Sequence, residues 1–257
     1  MSRRLTRLAL AAGLSLALPA LAAEAADPPP LFAPALTEAL APLLATPFRI
    51  DGATDEAGRW VTFNRPDQVS PRPGFNCSGF TVAAARSLLG RNFNLAEVSR
   101  DRRGDSGPGA TLGQDWDFGL DLISNLAEGY PHRWLPEPAD PAAPPLIPLG
   151  PGRALGWGVD LHSPEFEREL SRLQPGRLAF FVFSKPTGLF PAGVSYYHVG
   201  IIIPDPPARW LYHTTLGGGA HRVNLAEPAA LARLRRHFPP VKAGERRVLL
   251  LEVTPPE

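Results

Sequence analysis

Cysteine is nearly absent: the 257 residues contain one, Cys77. A single cysteine cannot close an internal disulfide, so the thiol is left as an intermolecular partner, a reactive group or a small core residue. An excess of charge of one sign is also missing. Lys and Arg number 26 against 25 Asp and Glu, a net charge of +1, which argues against nucleic acid or an anionic membrane surface as a bulk partner. Past the first residues no run of about 18 apolar residues occurs, so no membrane helix is expected.

Proline, by contrast, is abundant. Its 31 residues cluster in Asp27–Pro30, Pro136–Pro151 and Pro204–Pro207, which reads as rigid connections. Length and a hydrophobic content of 44% suit one elaborated globular domain or two small ones. The first 22 residues stand apart. Met1-Ser2-Arg3-Arg4 with Arg7 is basic, Leu8 to Leu18 is apolar and too short to span a bilayer, and Ala20-Leu21-Ala22 is a small-residue cleavage site. This pattern predicts a signal peptide over 1–22 and a periplasmic or secreted protein with no membrane anchor. In an oxidising compartment, an odd thiol points toward reactivity.

Gly74-Phe75-Asn76-Cys77-Ser78-Gly79-Phe80-Thr81 leads into a helical run closed by Gly90. Asn76 is a favoured N-cap, Phe80, Ala83, Ala84 and Leu88 recur at helical spacing, and Gly90 is a natural stop. Cys77 is thereby placed in the first turn, where unpaired N–H groups and the positive end of the helix dipole are expected to lower its pKa. Upstream, Leu31 to Leu44 predicts a short helix, Arg59–Phe63 a strand and Pro66–Pro73 a loop. Trp60 and Phe63 read as core rather than as substrate contacts.

Arg91 to Leu170 behaves as an insertion, so the expected organisation is a single domain over 23–257 with an inserted subdomain at about 91–170. Asp115, Asp117 and Asp121 alternate in a way that can hold calcium. Their spacing does not fit the twelve-residue calcium loop, and helix capping explains them better, so no metal or other cofactor is expected. Ser163-Pro164-Glu165 predicts a helix start, with the helix running to about Leu173.

Leu178–Phe183, Tyr196–Ile203, Arg209–His213, Arg222–Leu225 and Arg247–Val253 read as strands, and Pro228–Phe238 as a helix. A hairpin across Pro204–Ala208 can bring His198 close to His213 at one end of the sheet. A thiol at a helix start, a histidine to take its proton and a polar residue to orient that histidine make the arrangement that nucleophilic acyl transfer requires. Backbone N–H groups at Ser78 and Gly79 can help shape an oxyanion pocket. Strand alternation lets at most one of Tyr196 and Tyr197 line the site. His132, His162, His221 and His237 read as surface or structural, with His221 nearest the glycine loop.

Asn-Cys-Ser-Gly-Phe at a helix start resembles the Asp-Cys-Ser-Gly box of the NlpC/p60 cell-wall cysteine peptidases. Leu173 to Phe181 is similar to their Leu-x-Pro-Gly-Asp-Leu-x-Phe-Phe turn and strand, His198-Val199-Gly200-Ile201 to their His-Val-Gly-Ile strand, and Tyr212-His213 before a glycine cluster to the strand carrying their third catalytic residue. These motifs cover about Gly74–Gly90 and Leu173–Leu225.

The resemblance implies an α+β, papain-like fold with an antiparallel sheet on the Cys77 helix. It implies Cys77 as nucleophile, His198 as base and acid, His213 as orienting residue, and peptidoglycan stem peptides as substrate. Asn76, Ser78, Gly79 and Tyr197 are the expected substrate-binding residues. The chain departs from the family at Asn76, which replaces an Asp, at Arg177, which replaces the Asp of the turn, in a longer hairpin and in the 91–170 segment. Two other readings use the same residues: an acyltransferase with the same triad, and a catalytically idle binding partner on the same fold. Oligomeric state is not indicated by the sequence.

Overall fold

The computed structural model describes residues 33–102, 117–137, 158–186, 194–240 and 246–256. The expected signal peptide, the Asp27–Pro30 cluster, most of Pro136–Pro151 and Asp115 lie outside them.

The fold is α+β with antiparallel sheets. Helix α1 (Ala33–Leu40) and a 3-10 turn precede a small sheet of β1 (Gly52–Thr54), β2 (Trp60–Thr62) and β3 (Arg65–Val69). Helix α2 (Cys77–Leu89) follows, then α3 (Leu95–Val98), α4 (Phe118–Ala127), β4 (His132–Leu135), β5 (Val159–Asp160) and α5 (Pro164–Ser171). Strands β6 (Leu178–Pro186), β7 (Val194–Asp205), β8 (Ala208–Thr215) and β9 (Gly219–Asn224) form a meander. Helix α6 (Pro228–His237) and β10 (Arg247–Val253) complete the elements. In the seven-stranded sheet the order is β4-β10-β6-β7-β8-β9, with β5 also paired to β10.

Alternation divides the core between the two faces of this sheet. Leu178, Phe180, Val182, Val199, Ile201, Ile203, Leu249 and Leu251 face one cluster, with Phe80, Val82 and Ala84 of α2 and Leu122, Ile123 and Leu126 of α4. Ala179, Phe181, Phe183, Ile202, Leu211, Val248 and Leu250 face the other, with Phe166 and Leu170 of α5 and Leu231 and Leu234 of α6. One irregularity matters for the site: Phe183 pairs with His198 and Ser184 with Tyr196, so Tyr197 is an extra residue, a β-bulge.

Helix α2 is capped as its sequence predicts. The Asn76 Oδ1 accepts the Gly79 N–H at 2.7 Å, and Gly90 ends the helix at φ 64°. Arg86 ties it to its surroundings by donating to the Thr54, Asp55 and Phe93 carbonyls. Ser163 precedes α5 as expected, but its hydroxyl donates backward to the Asp160 carbonyl at 2.9 Å instead of accepting from the helix.

Pro66–Pro73 is not simply a loop, because Arg65–Val69 forms β3. It is an exposed edge strand, the one setting in a sheet where Pro66 removes no needed ladder bond. Within 91–170, the described parts belong to the main core: α4 packs into the first cluster and β4 pairs with β10. Asp121 Oδ2 accepts the Arg102 backbone N–H at 2.8 Å. No group of three or more His, Cys, Asp or Glu among the described residues is placed to hold a metal ion. No described helix is long and apolar enough to cross a membrane.

Candidate active site

Cys77 is the first residue of α2, and the position of that helix is fixed by a missing side chain. A Cβ on Gly79 would lie 2.1 Å from the Gly52 carbonyl oxygen and 2.9 Å from Ala53 Cα, so only glycine lets α2 approach β1 this closely. The Gly79 N–H is already bonded to Asn76. Gly79 therefore serves packing and capping, and its N–H is engaged rather than free for an oxyanion.

The residue Cys77 is half-buried, and its sulfur is the inward end. The thiol lies 3.7 Å from the Tyr197 carbonyl oxygen, to which it donates. Burial pushes the thiol pKa up, against the opposing pull of the Val199 and Ser78 N–H groups. The lowering expected from the helix dipole is thus reversed in this arrangement. Desolvation of a thiolate outweighs the few N–H groups that face it.

Both contacts put the sulfur on β7 backbone either side of His198. The imidazole itself lies on the other face, with ring centroids 5.8 Å from Phe181 and Phe183 and 4.9 Å from Phe238 of the second cluster. His198 Nε2 meets His213 Nδ1 at 3.0 Å. The hairpin therefore brings the two histidines together as expected, although the sheet separates their rings from the sulfur. Among the described residues, no hydrogen bond joins Cys77 to either imidazole. His198 is 7% exposed and His213 2%. Burial, with smaller contributions from the nearby His237, His221 and Arg246, pushes the His198 pKa down to about 3. Burial and His198, His221 and His237 hold His213 well below the usual imidazole range. Both rings are neutral at pH 7.

A cavity of about 210 Å³ opens beside Cys77. Asn76, Ser78 and Tyr197 line it as expected, and Tyr196 does so too. Alternation allows only one of the two tyrosines, and the bulge at Tyr197 breaks that alternation. Phe63 is both core, at 3% exposure, and cavity wall. Sequence reasoning missed Asp51, Asn64 and Lys185 in this lining. Asp51 sits at φ 59° and accepts the Asn64 N–H at 3.1 Å, and burial pushes its carboxyl up. Lys185 Nζ lies 4.6 Å above the Tyr197 ring, whose hydroxyl accepts from Arg246 at 3.2 Å. The only sequence signal for Asp51 was its place before Gly52, and for Lys185 the end of a strand. The His221 ring lies tilted against that of His213, with centroids 4.6 Å apart.

Compared with protein-family models, with curated proteins and with solved structures, the chain has no match in any of the three.

Proposed function

We propose that the chain is an exported cysteine hydrolase of papain-like fold that cleaves an amide bond in a cell-wall type peptide. One observation carries this reading: the Cys77 sulfur rests against β7 on both sides of His198, whose far nitrogen is held by His213. The chain order and roles are those of the motifs that resemble the NlpC/p60 peptidases.

In the proposed reaction His198 Nδ1 takes the thiol proton and the Cys77 thiolate attacks the amide carbonyl carbon. The C–N bond breaks as His198 returns the proton to the leaving amine. Water, deprotonated by His198, then hydrolyses the thioester and restores the thiol. This requires the sulfur and the imidazole to leave the positions described, since the thiol now faces a carbonyl. Substrate would occupy the cavity lined by Asn76, Ser78 and Tyr197, with Asp51 and Lys185 offering one charge of each sign.

A second reading, an idle binding partner on the same fold, is favoured by a specific observation. The thiol is raised in pKa and, among the described residues, its hydrogen bond goes to a carbonyl and not to an imidazole. The pH dependence of iodoacetamide alkylation separates the two. Rapid labelling below pH 8 that His198→Ala abolishes supports the hydrolase. Labelling that begins only well above the ordinary thiol range, and ignores His198, sinks it.

A further inference from the structure

On the far side of His213 from the sheet's Cys77 face lies a separate cavity of about 390 Å³, between β8, β9 and α6. His213, Thr215, His221, Arg233, Leu234 and His237 line it, and among the described residues no Asp or Glu does. Arg233 forms no ion pair and His237 no hydrogen bond among the described residues. His221 Nδ1 lies 2.9 Å from the Gly219 carbonyl oxygen. A carbonyl only accepts, so that nitrogen carries the hydrogen and Nε2 is the free one.

His213 supplies the pointer to a ligand. It is 2% exposed and its Nδ1 is taken by His198, which leaves Nε2 as its polar atom for the cavity, with no partner among the described residues. That nitrogen is not one of the sealed-in polar atoms of the core, so it opens onto the cavity, where a ligand can reach it. The side chains whose charges bear on His213 are His198, His221 and His237, none of them anionic.

We propose that this cavity binds a small oxyanion, a phosphate or carboxylate group, which accepts a hydrogen bond from His213 Nε2–H and is completed by Arg233, His237 and Thr215. Resting on the hydrolase reading, the site also acquires a role. For His198 to accept a proton at Nδ1, its own hydrogen must sit on Nε2 and be donated to His213 Nδ1. His213 then carries its hydrogen on Nε2, facing the cavity. An acceptor at that point fixes the tautomers of both rings, the task that a carboxylate side chain performs for other histidines. Here the oxyanion comes from outside the chain.

The test is a titration with inorganic phosphate, and separately with acetate, followed by the imidazole ring resonances in NMR. It is run on the wild type, Cys77→Ala and Arg233→Gln. Saturable shifts of the His213 and His237 resonances in the millimolar range are expected, unchanged in Cys77→Ala. Binding should weaken on the order of tenfold in Arg233→Gln, as befits one lost charge-assisted hydrogen bond. Phosphate favoured over acetate identifies a free or esterified phosphate. Equal affinities identify a carboxylate, such as a peptide end. Absence of saturation with both probes, or shifts that ignore Arg233, overturns the proposal. Because the readout does not involve the thiol, failure of the hydrolase reading would leave anion binding intact.

Discussion

Arg177 Nη1 lies 3.6 Å from Oε2 of Glu252, a carboxylate only 1% exposed near the C-terminal end of β10. Arg133 Nε reaches the same oxygen at 2.5 Å, and the Gln174 backbone N–H donates to Oε1 at 2.7 Å. Arg177 is the position at which the turn departs from the Leu-x-Pro-Gly-Asp pattern. An aspartate there would face a buried carboxylate, so the arginine at 177 and the glutamate at 252 belong together.

Glu252→Ala is expected to cost roughly 3–5 kcal/mol, because two arginines and an N–H lose a buried acceptor. Glu252→Gln, which keeps an acceptor for Gln174, should cost less. Urea denaturation of the three proteins measures this, and equal midpoints for wild type and Glu252→Ala would refute it.

Gly79→Ala should destabilise by about 1–3 kcal/mol by forcing α2 off β1. The Cβ would meet backbone atoms that cannot rotate away. Thermal melts are the check, and equal melting temperatures for the wild type and Gly79→Ala would refute it.

Asn76→Ala removes the N-cap of α2 and should cost about 1 kcal/mol. Asn76→Asp keeps an acceptor for the Gly79 N–H, so its melting temperature should stay near that of the wild type. Its added charge beside Cys77 should push the thiol pKa further up, slowing alkylation at neutral pH. Faster alkylation in Asn76→Asp would contradict this electrostatic picture.

The buried histidines make the protein acid-labile. Folded His198 titrates near 3, whereas an unfolded histidine titrates near 6.5. Below pH 6.5 the unfolded chain therefore binds the proton and the folded one does not. The stability due to each neutral ring is complete above that pH and is lost at up to about 1.4 kcal/mol per pH unit as pH falls. Urea midpoints at pH 7 and pH 5 should differ less in His198→Gln than in the wild type.

Helix α2 was legible down to its caps, because Asn76 and Gly90 act locally on the backbone. Strands β6 to β8 and β10 were legible from continuous apolar runs between turns. Strand β3 was hidden by its own chemistry: it buries nothing, and Pro66 reads as a loop signal. The meeting of His198 and His213 followed from hairpin geometry. What the sequence did not reveal is the face on which they meet. Alternation gives relative orientation along a strand, but the side that receives α2 depends on Gly79 and β1, far away in the chain. The direction of the Cys77 pKa shift was misjudged for the same reason, since helix position is local and burial is not.

Strand β10 fills the middle of the large sheet, between β4 and β6, although residues 247–253 follow all the other strands of the described residues. During synthesis β6 to β9 can pair as they emerge. Strands β4 and β5 have no partner until the ribosome has passed residue 253, and the open edge of β6 displays the apolar run Leu178–Phe183. A chain stopped short of residue 247 would therefore leave β4, β5 and the apolar edge of β6 unpaired, an aggregation-prone half-sheet.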